Sequence, residues 1–370
     1  MRVHGAREEG KMKCTFFLGG LSGGGTERVV CNLANYLSDL GHRIEILTMS
    51  DDTPSYELHA SVKRIALLAQ NERKNAFFNF SIRFSRLKKY MKSSDTDEYI
   101  VMLPTTIIML LGMHRFTKAP IIVSERADPS QLSAVKKFLL KHLVKHASGF
   151  VFQTTDVSLW YRPYIGNIKN VVIPNAINEE FLSKPIHTGD RTQRIVAVGR
   201  MAEQKNFKLL IRSFAKVYRR YPAFRLILFG DGPQRGELHD LAAELGIANA
   251  VEMPGYVKDI RSQICDAYMF ILSSYFEGIP NSLIEAMSLG IPCIATDCPV
   301  GGPKSLIENS YNGLLIPVND QEQMTNAMIE LIQNPKLASF IGNNAFKIRE
   351  ELHPAVIYSK WERFMESLLH

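Results

Sequence analysis

The sequence predicts an α/β protein built from two Rossmann-like β/α/β domains, and three observations carry that expectation. The chain has 370 residues, 46% of them hydrophobic, enough for two domains of ordinary size. Short β-rich runs alternate with helix-length segments twice along it, the signature of βα units on a mostly parallel sheet. A polar stretch, AINEEFLSKPIHTGDRTQ, separates the two series.

The first series consists of CTFFLG, RIEILTM, VKRIALL, EYIVML, PIIVSE, GFVFQT and NVVIPN, with helical segments such as TERVVCNLANYLSDLG between them. After the polar stretch come the strands RIVAVGR, RLILFGDG, AVEMPGY, MFILSS and PCIATD, and the helices FKLLIRSFAKVYRRY, RGELHDLAAELG and NSLIEAMSLG. The expected organisation is a flexible extension at 1–11, an N-terminal domain at 12–177, a linker at 178–193 and a C-terminal domain at 194–352. A final helix at 353–370 is free to pack back on the N-terminal domain.

Composition narrows the function classes. Five cysteines, with no CxxC pair and mostly in apolar segments, read as core thiols in a reducing compartment, with neither a disulfide nor zinc expected. The longest apolar candidate for a membrane span, IVMLPTTIIMLLGM, is interrupted by Pro104 and two threonines, so the chain is expected to be soluble or peripheral.

Charge is uneven. Lys and Arg outnumber Asp and Glu by 25 to 17 through residue 185 and stand at 19 to 20 beyond it, which together make the net +7. Much of the surplus lies in RKNAFFNFSIRFSRLKKYMK, residues 73–92, with seven basic residues, no acid and the aromatics Phe77, Phe78, Phe80, Phe84 and Tyr90. Such a helix suits an anionic membrane or an acidic substrate, with Arg83, Arg86, Lys88 and Lys89 as the contacts; an ordinary packing helix with a solvated face is the alternative. No nucleic-acid motif accompanies the charge, and no nucleic-acid partner is expected.

In a parallel sheet ligands sit at the carboxyl ends of the strands, so the turns there matter most. The first strand is followed by GGLSGGGTER, where Gly23, Gly24 and Gly25 let backbone approach a ligand ahead of a helix N-terminus. A GxGxxG dinucleotide motif started at Gly23 fails at its third glycine, which is Arg28. In the second half, Arg200 and Lys205 follow a strand end and can converge on one diphosphate. The stretch FEGIPNSLIEAMSLG then sets Glu277 in a loop and Glu285 eight residues later on a helix. Pro280 suits the first turn of that helix and Gly290 its stop, and the N–H groups of Asn281, Ser282 and Leu283 form a second anion site.

The order of these elements resembles the retaining glycosyltransferases of family 4. It runs from the glycine-rich turn through SER at 124–126, PN, GR with KN, GDGP and GY to EGIPNSLIEAM and GIPCIATD. The resemblance covers Met12 to about residue 350, and Glu277 with Glu285 is its most specific part. It implies GT-B architecture, two Rossmann-like domains facing a central cleft. It also implies that Glu277, beside Gly278, holds the donor sugar, that Glu285 reaches the ribose, and that Arg200 and Lys205 neutralise the departing diphosphate. Gly24, Gly25, Arg126 and Tyr256 are implied to line the donor site, Tyr256 near the base. Many members carry His where this chain has Arg126, which leaves that residue's part in the site open, and Glu125 reads equally as a surface or salt-bridged acid and as a functional one.

The expectation is therefore transfer of a hexose or N-acetylhexosamine from a nucleotide diphosphate sugar, UDP-linked in preference, to a hydroxyl of a lipid-linked or other glycan. Neither a cofactor nor a metal is expected; the placement expected is cytoplasmic, in peripheral contact with an anionic membrane. A GT-B nucleotide-sugar epimerase and a non-catalytic glycan-binding scaffold are the alternatives.

Overall fold

The computed structural model describes residues 11–126, 128–183 and 185–369. The expected extension at 1–11 thus lies almost wholly outside the described residues. The chain forms two compact units, residues 1–174 with 358–370, and residues 175–357.

The first unit holds seven parallel strands: β1 (Lys13–Leu18), β2 (Arg43–Thr48), β3 (Lys63–Ala66), β4 (Glu98–Met102), β5 (Ile121–Glu125), β6 (Gly149–Phe152) and β7 (Lys169–Val172). Their order is β3-β2-β1-β4-β5-β6-β7. The inner strands were visible as β-rich runs because strands covered on both faces are almost continuously apolar, as Cys14 to Leu18 and Ile121 to Val123 are, whereas the edge strands β3 and β7 stay partly exposed. The last helix, Pro354–Glu366, enters this unit at Tyr358, which packs on Tyr36 with ring centroids 5.0 Å apart, and it buries Trp361.

The second unit has six parallel strands: β8 (Thr192–Val198), β9 (Arg225–Phe229), β10 (Val251–Gly255), β11 (Ala267–Leu272), β12 (Cys293–Thr296) and β13 (Leu314–Ile316). The order β10-β9-β8-β11-β12-β13 repeats that of the first sheet. Strand β13 has no counterpart in the sequence reading, since three residues, LLI, are too short to show a period. The helix Phe207–Arg220 covers this sheet with Leu210, Ile211, Phe214 and Val217, all fully buried, while Lys216, Arg219 and Arg220 stay in water.

In both sheets the chain reverses its direction of progress after the third strand, which creates a switch point between β1 and β4 and between β8 and β11. Helices leave such a point on opposite faces, opening a crevice at the carboxyl ends of the two strands. The loops that follow β8 and β11 are therefore the first place to look for chemistry.

Candidate active site

The loop after β8 carries Arg200 and Lys205, and the loop after β11 carries Glu277. The structure brings the last two together: Lys205 Nζ donates to Glu277 Oε1 at 2.6 Å, with both side chains mostly buried. Ser274 Oγ donates to the same oxygen at 2.7 Å. Glu277 Oε2 accepts no hydrogen bond among the described residues.

The backbone around this pair is fixed from several sides. Ser273 Oγ donates to the Lys205 carbonyl at 2.7 Å, and Tyr275 N–H donates to the Gln204 carbonyl at 2.8 Å, so the two loops are stitched to each other. Glu277 N–H donates to the Pro299 carbonyl at 2.7 Å, and Val300 N–H to the Glu277 carbonyl at 3.2 Å. Two glycines make the close approaches possible. Gly230, at φ +119°, lies against the Gly199 carbonyl, and Gly302 packs on the Gly278 carbonyl with no room for a Cβ. Gly302→Ala should therefore displace the Glu277 loop and lower stability by at least about 2 kcal/mol, because the obstacle is backbone and not a flexible side chain. Denaturant unfolding beside a Gly236→Ala control, where nothing lies within 4 Å of the added methyl, checks this.

Past Glu277 the chain enters the helix Asn281–Ser288. Pro280 caps it, one position before the first turn, and its carbonyl accepts from Leu283 N–H at 3.1 Å. Leu283 is thereby withdrawn from the expected anion site, and the free N–H groups are those of Asn281 and Ser282. The Asn281 side chain accepts from Asn175 Nδ2 at 2.7 Å, and the same Nδ2 reaches the Ile279 carbonyl at 3.3 Å. Asn175, the residue of the PN pair, thus braces the start of this helix. Glu285 lies one turn further on and is buried at 5% exposure. Gly290, at φ +67°, stops the helix as expected.

The remaining expected residues are less gathered. Arg200 is exposed and its guanidinium makes no hydrogen bond or ion pair among the described residues, and the Tyr256 ring is 85% exposed. Gly24 caps the helix Gly25–Asp39 in extended conformation, and Glu27 folds over that N-terminus, close to Gly24. Glu125 is not a surface acid. It is fully buried and accepts from Tyr161 Oη at 2.6 Å and from Arg126 N–H at 2.9 Å. Burial pushes the Tyr161 hydroxyl well above its usual range and brings Arg126 down to about 10.

The basic helix, Ala76–Ser93, uses most of its cations internally. Arg83 donates to the Met49 carbonyl and Ser50 Oγ, both at 2.8 Å, and Arg86 forms a two-pronged pair with Glu72 at 2.6 Å. Lys88 sits over the Phe116 ring at 4.7 Å, and of the expected four only Lys89 is exposed with no side-chain partner among the described residues. What the helix leaves in water is aromatic: Phe77 is 82% exposed and Phe80 58%. Among the described residues no helix is long and apolar enough to cross a membrane.

Two repeated Rossmann sheets, with a cation–carboxylate pair at the switch point of the second and a helix N-terminus beside it, define the architecture of the GT-B glycosyltransferases. A protein of Anabaena solved in complex with UDP has the same fold, with a TM-score of 0.80, 17% identity and coverage of 96% of this chain and 100% of that one. Residues 23–181 match the model of Glycosyltransferase Family 4 and residues 178–348 that of Glycosyl transferases group 1. The chain belongs to the family 4 glycosyltransferases.

Among curated relatives, an exopolysaccharide phosphotransferase of Streptomyces coelicolor is 29% identical over 76% of this chain, which spans only 30% of that longer protein. A GalNAc-alpha-(1->4)-GalNAc-alpha-(1->3)-diNAcBac-PP-undecaprenol alpha-1,4-N-acetyl-D-galactosaminyltransferase of Campylobacter jejuni is 24% identical over 95% of this chain and 97% of its own length.

Proposed function

We propose that this glycosyltransferase moves a hexose or N-acetylhexosamine from a UDP-sugar to a hydroxyl of a lipid-linked glycan, with retention of anomeric configuration and without a divalent metal. The observation that carries the reading is the Lys205–Glu277 pair at the second switch point, followed within one short helix by Glu285. Glu277 holds sugar hydroxyls through its unengaged Oε2 and Glu285 meets the ribose. Between them, Lys205, Arg200 and the N–H groups of Asn281 and Ser282 neutralise the diphosphate.

In the transfer, the bond from the sugar C1 to the β-phosphate oxygen breaks while C1 bonds to the acceptor oxygen on the same face. The acceptor proton passes to the departing phosphate oxygen, so the enzyme's part is positioning and charge neutralisation. The UDP-bound Anabaena structure and the undecaprenol-linked acceptor in the Campylobacter relative's name support the choice of donor and acceptor class. Product NMR tests retention: an α-linked product from an α-linked UDP-sugar, formed equally with and without EDTA, is expected, and a β-linked product or loss of activity with EDTA overturns it.

With a lipid-linked acceptor, the proposed location is peripheral, on an anionic cytoplasmic membrane face. Phe77 and Phe80 on one helix, and Val135 and Phe138 on the helix Ala134–Leu143, are exposed, and both helices begin at the carboxyl edge of the first sheet. Lysines 136, 137 and 141 accompany them. Anionic vesicles should bind the chain in a salt-sensitive manner. The triple variant Phe77→Ser, Phe80→Ser, Phe138→Ser should lower the partition at least about tenfold, since each inserted ring contributes roughly 1.5–3 kcal/mol. Equal co-sedimentation of wild type and variant would remove the membrane contact.

A further inference from the structure

The Lys205–Glu277 pair poses a problem for the loaded state. If Lys205 turns to the diphosphate, Glu277 loses its strongest partner at the moment its carboxylate must be held for the sugar. We infer that Ser274 is the positioning residue that keeps Glu277 aimed at the donor sugar when Lys205 serves the phosphates; this rests on the donor site proposed above.

The geometry points there from three directions. Ser274 Oγ and Lys205 Nζ donate to the same oxygen of Glu277, at 2.7 and 2.6 Å, so withdrawal of the lysine still leaves Oε1 bonded. Ser274 is fully buried, which strengthens a hydrogen bond to a carboxylate and denies water as a substitute. Its own backbone is fixed by Thr296 Oγ1 on β12, which donates to the Ser274 carbonyl at 2.6 Å. The hydroxyl therefore approaches Glu277 from a rigid strand end. Its neighbour Ser273 turns the other way and holds the Lys205 backbone at 2.7 Å. Two consecutive serines thus serve the two members of the pair separately, one as a tether of main chain and the other as a donor to the carboxylate.

A positioning role separates sugar recognition from nucleotide recognition. The test is calorimetry with UDP and with UDP-glucose, UDP-galactose, UDP-N-acetylglucosamine and UDP-N-acetylgalactosamine, on wild type, Ser274→Ala, Glu277→Ala and the double variant. Wild type is expected to bind one UDP-sugar more tightly than UDP. Ser274→Ala should keep UDP affinity within about twofold while losing roughly tenfold of the extra affinity for that sugar. In the Glu277→Ala background, where the acceptor oxygen is gone, the same substitution should cost no more than about twofold, because a residue that acts through Glu277 has nothing left to act on.

Parallel loss of UDP and UDP-sugar binding in Ser274→Ala, or full additivity in the double variant, would show a merely structural role and overturn the inference while leaving the donor site standing. Failure of folded wild type to bind any of the nucleotides would remove the donor site itself, and the inference with it.

Discussion

Replacing Lys205 with alanine should lower sugar transfer roughly 10²–10³-fold and weaken UDP binding at least about tenfold, the scale seen when one preorganised charge donor is removed from a site of developing negative charge. Two losses combine. The cation that would meet the diphosphate is gone, and Glu277, only 7% exposed, keeps a single side-chain donor in a place where an uncompensated carboxylate is costly.

Lys205→Arg should not restore the activity. The Lys205 stem runs directly over Gly199, with its Cε 2.8 Å from where a glycine-replacing Cβ would stand, so the lysine lies flat on a surface cleared for it and a guanidinium fork would be aimed differently. Single-turnover rates and UDP titration read both effects. UDP affinity within twofold of wild type in Lys205→Ala would mean that this lysine does not meet the diphosphate.

The second large effect is on stability and lies in the first unit. Glu98 opens β4, is fully buried, and neither carboxyl oxygen has a hydrogen-bond partner among the described residues. Burial, and then the neighbouring charge of Asp97, push its carboxyl up to about 9. A carboxyl raised in the folded state binds its proton there after the unfolded chain has released it. Stability therefore falls as pH rises from the unfolded value of 4.5 toward about 9 and levels off above that.

Glu98→Met keeps the length of the side chain and removes the titrating group. It should stabilise the chain on the order of 2–4 kcal/mol at pH 7.5 and abolish this part of the downward slope. Urea unfolding of both proteins at pH 5, 7 and 9 measures it. Parallel stability–pH curves would show that Glu98 finds a partner or water in solution.

The parallel sheets were legible because buried strands write themselves as apolar runs, and the two carboxylates because Glu277 and Glu285 stand in an otherwise apolar context. The pairing of Lys205 with Glu277 was not legible. It joins residues that only the β8–β11 switch point makes neighbours. Ser274 and Asn175 carry no chemical signature in sequence, since a hydroxyl or amide becomes informative only when its partner is known.

The basic helix left a choice open that only tertiary contacts narrow. Arg83 and Arg86 in RKNAFFNFSIRFSRLKKYMK suited either membrane contact or an ordinary packing helix, and their partners, Met49, Ser50 and Glu72, lie on separate segments of the chain. Composition gave their charge and tertiary contact decided its use. Leu283 illustrates a finer limit, because whether a helix-start N–H is available depends on the turn that precedes it. Glu98 stands first in EYIVML with nothing in the sequence to mark it, and only the fold reveals that the strand begins inside the unit.

In the proposed function the second unit holds a nucleotide diphosphate sugar between Glu277 and Glu285. The decisive experiment is titration of the chelator-treated protein with UDP, GDP, the four UDP-sugars above and GDP-mannose, alongside Glu285→Ala. Wild type is expected to bind UDP and one UDP-sugar without metal, and Glu285→Ala to weaken both at least about tenfold through the lost ribose contact. Folded protein that binds none of these nucleotides, or binds them as tightly without the Glu285 carboxylate, would contradict it.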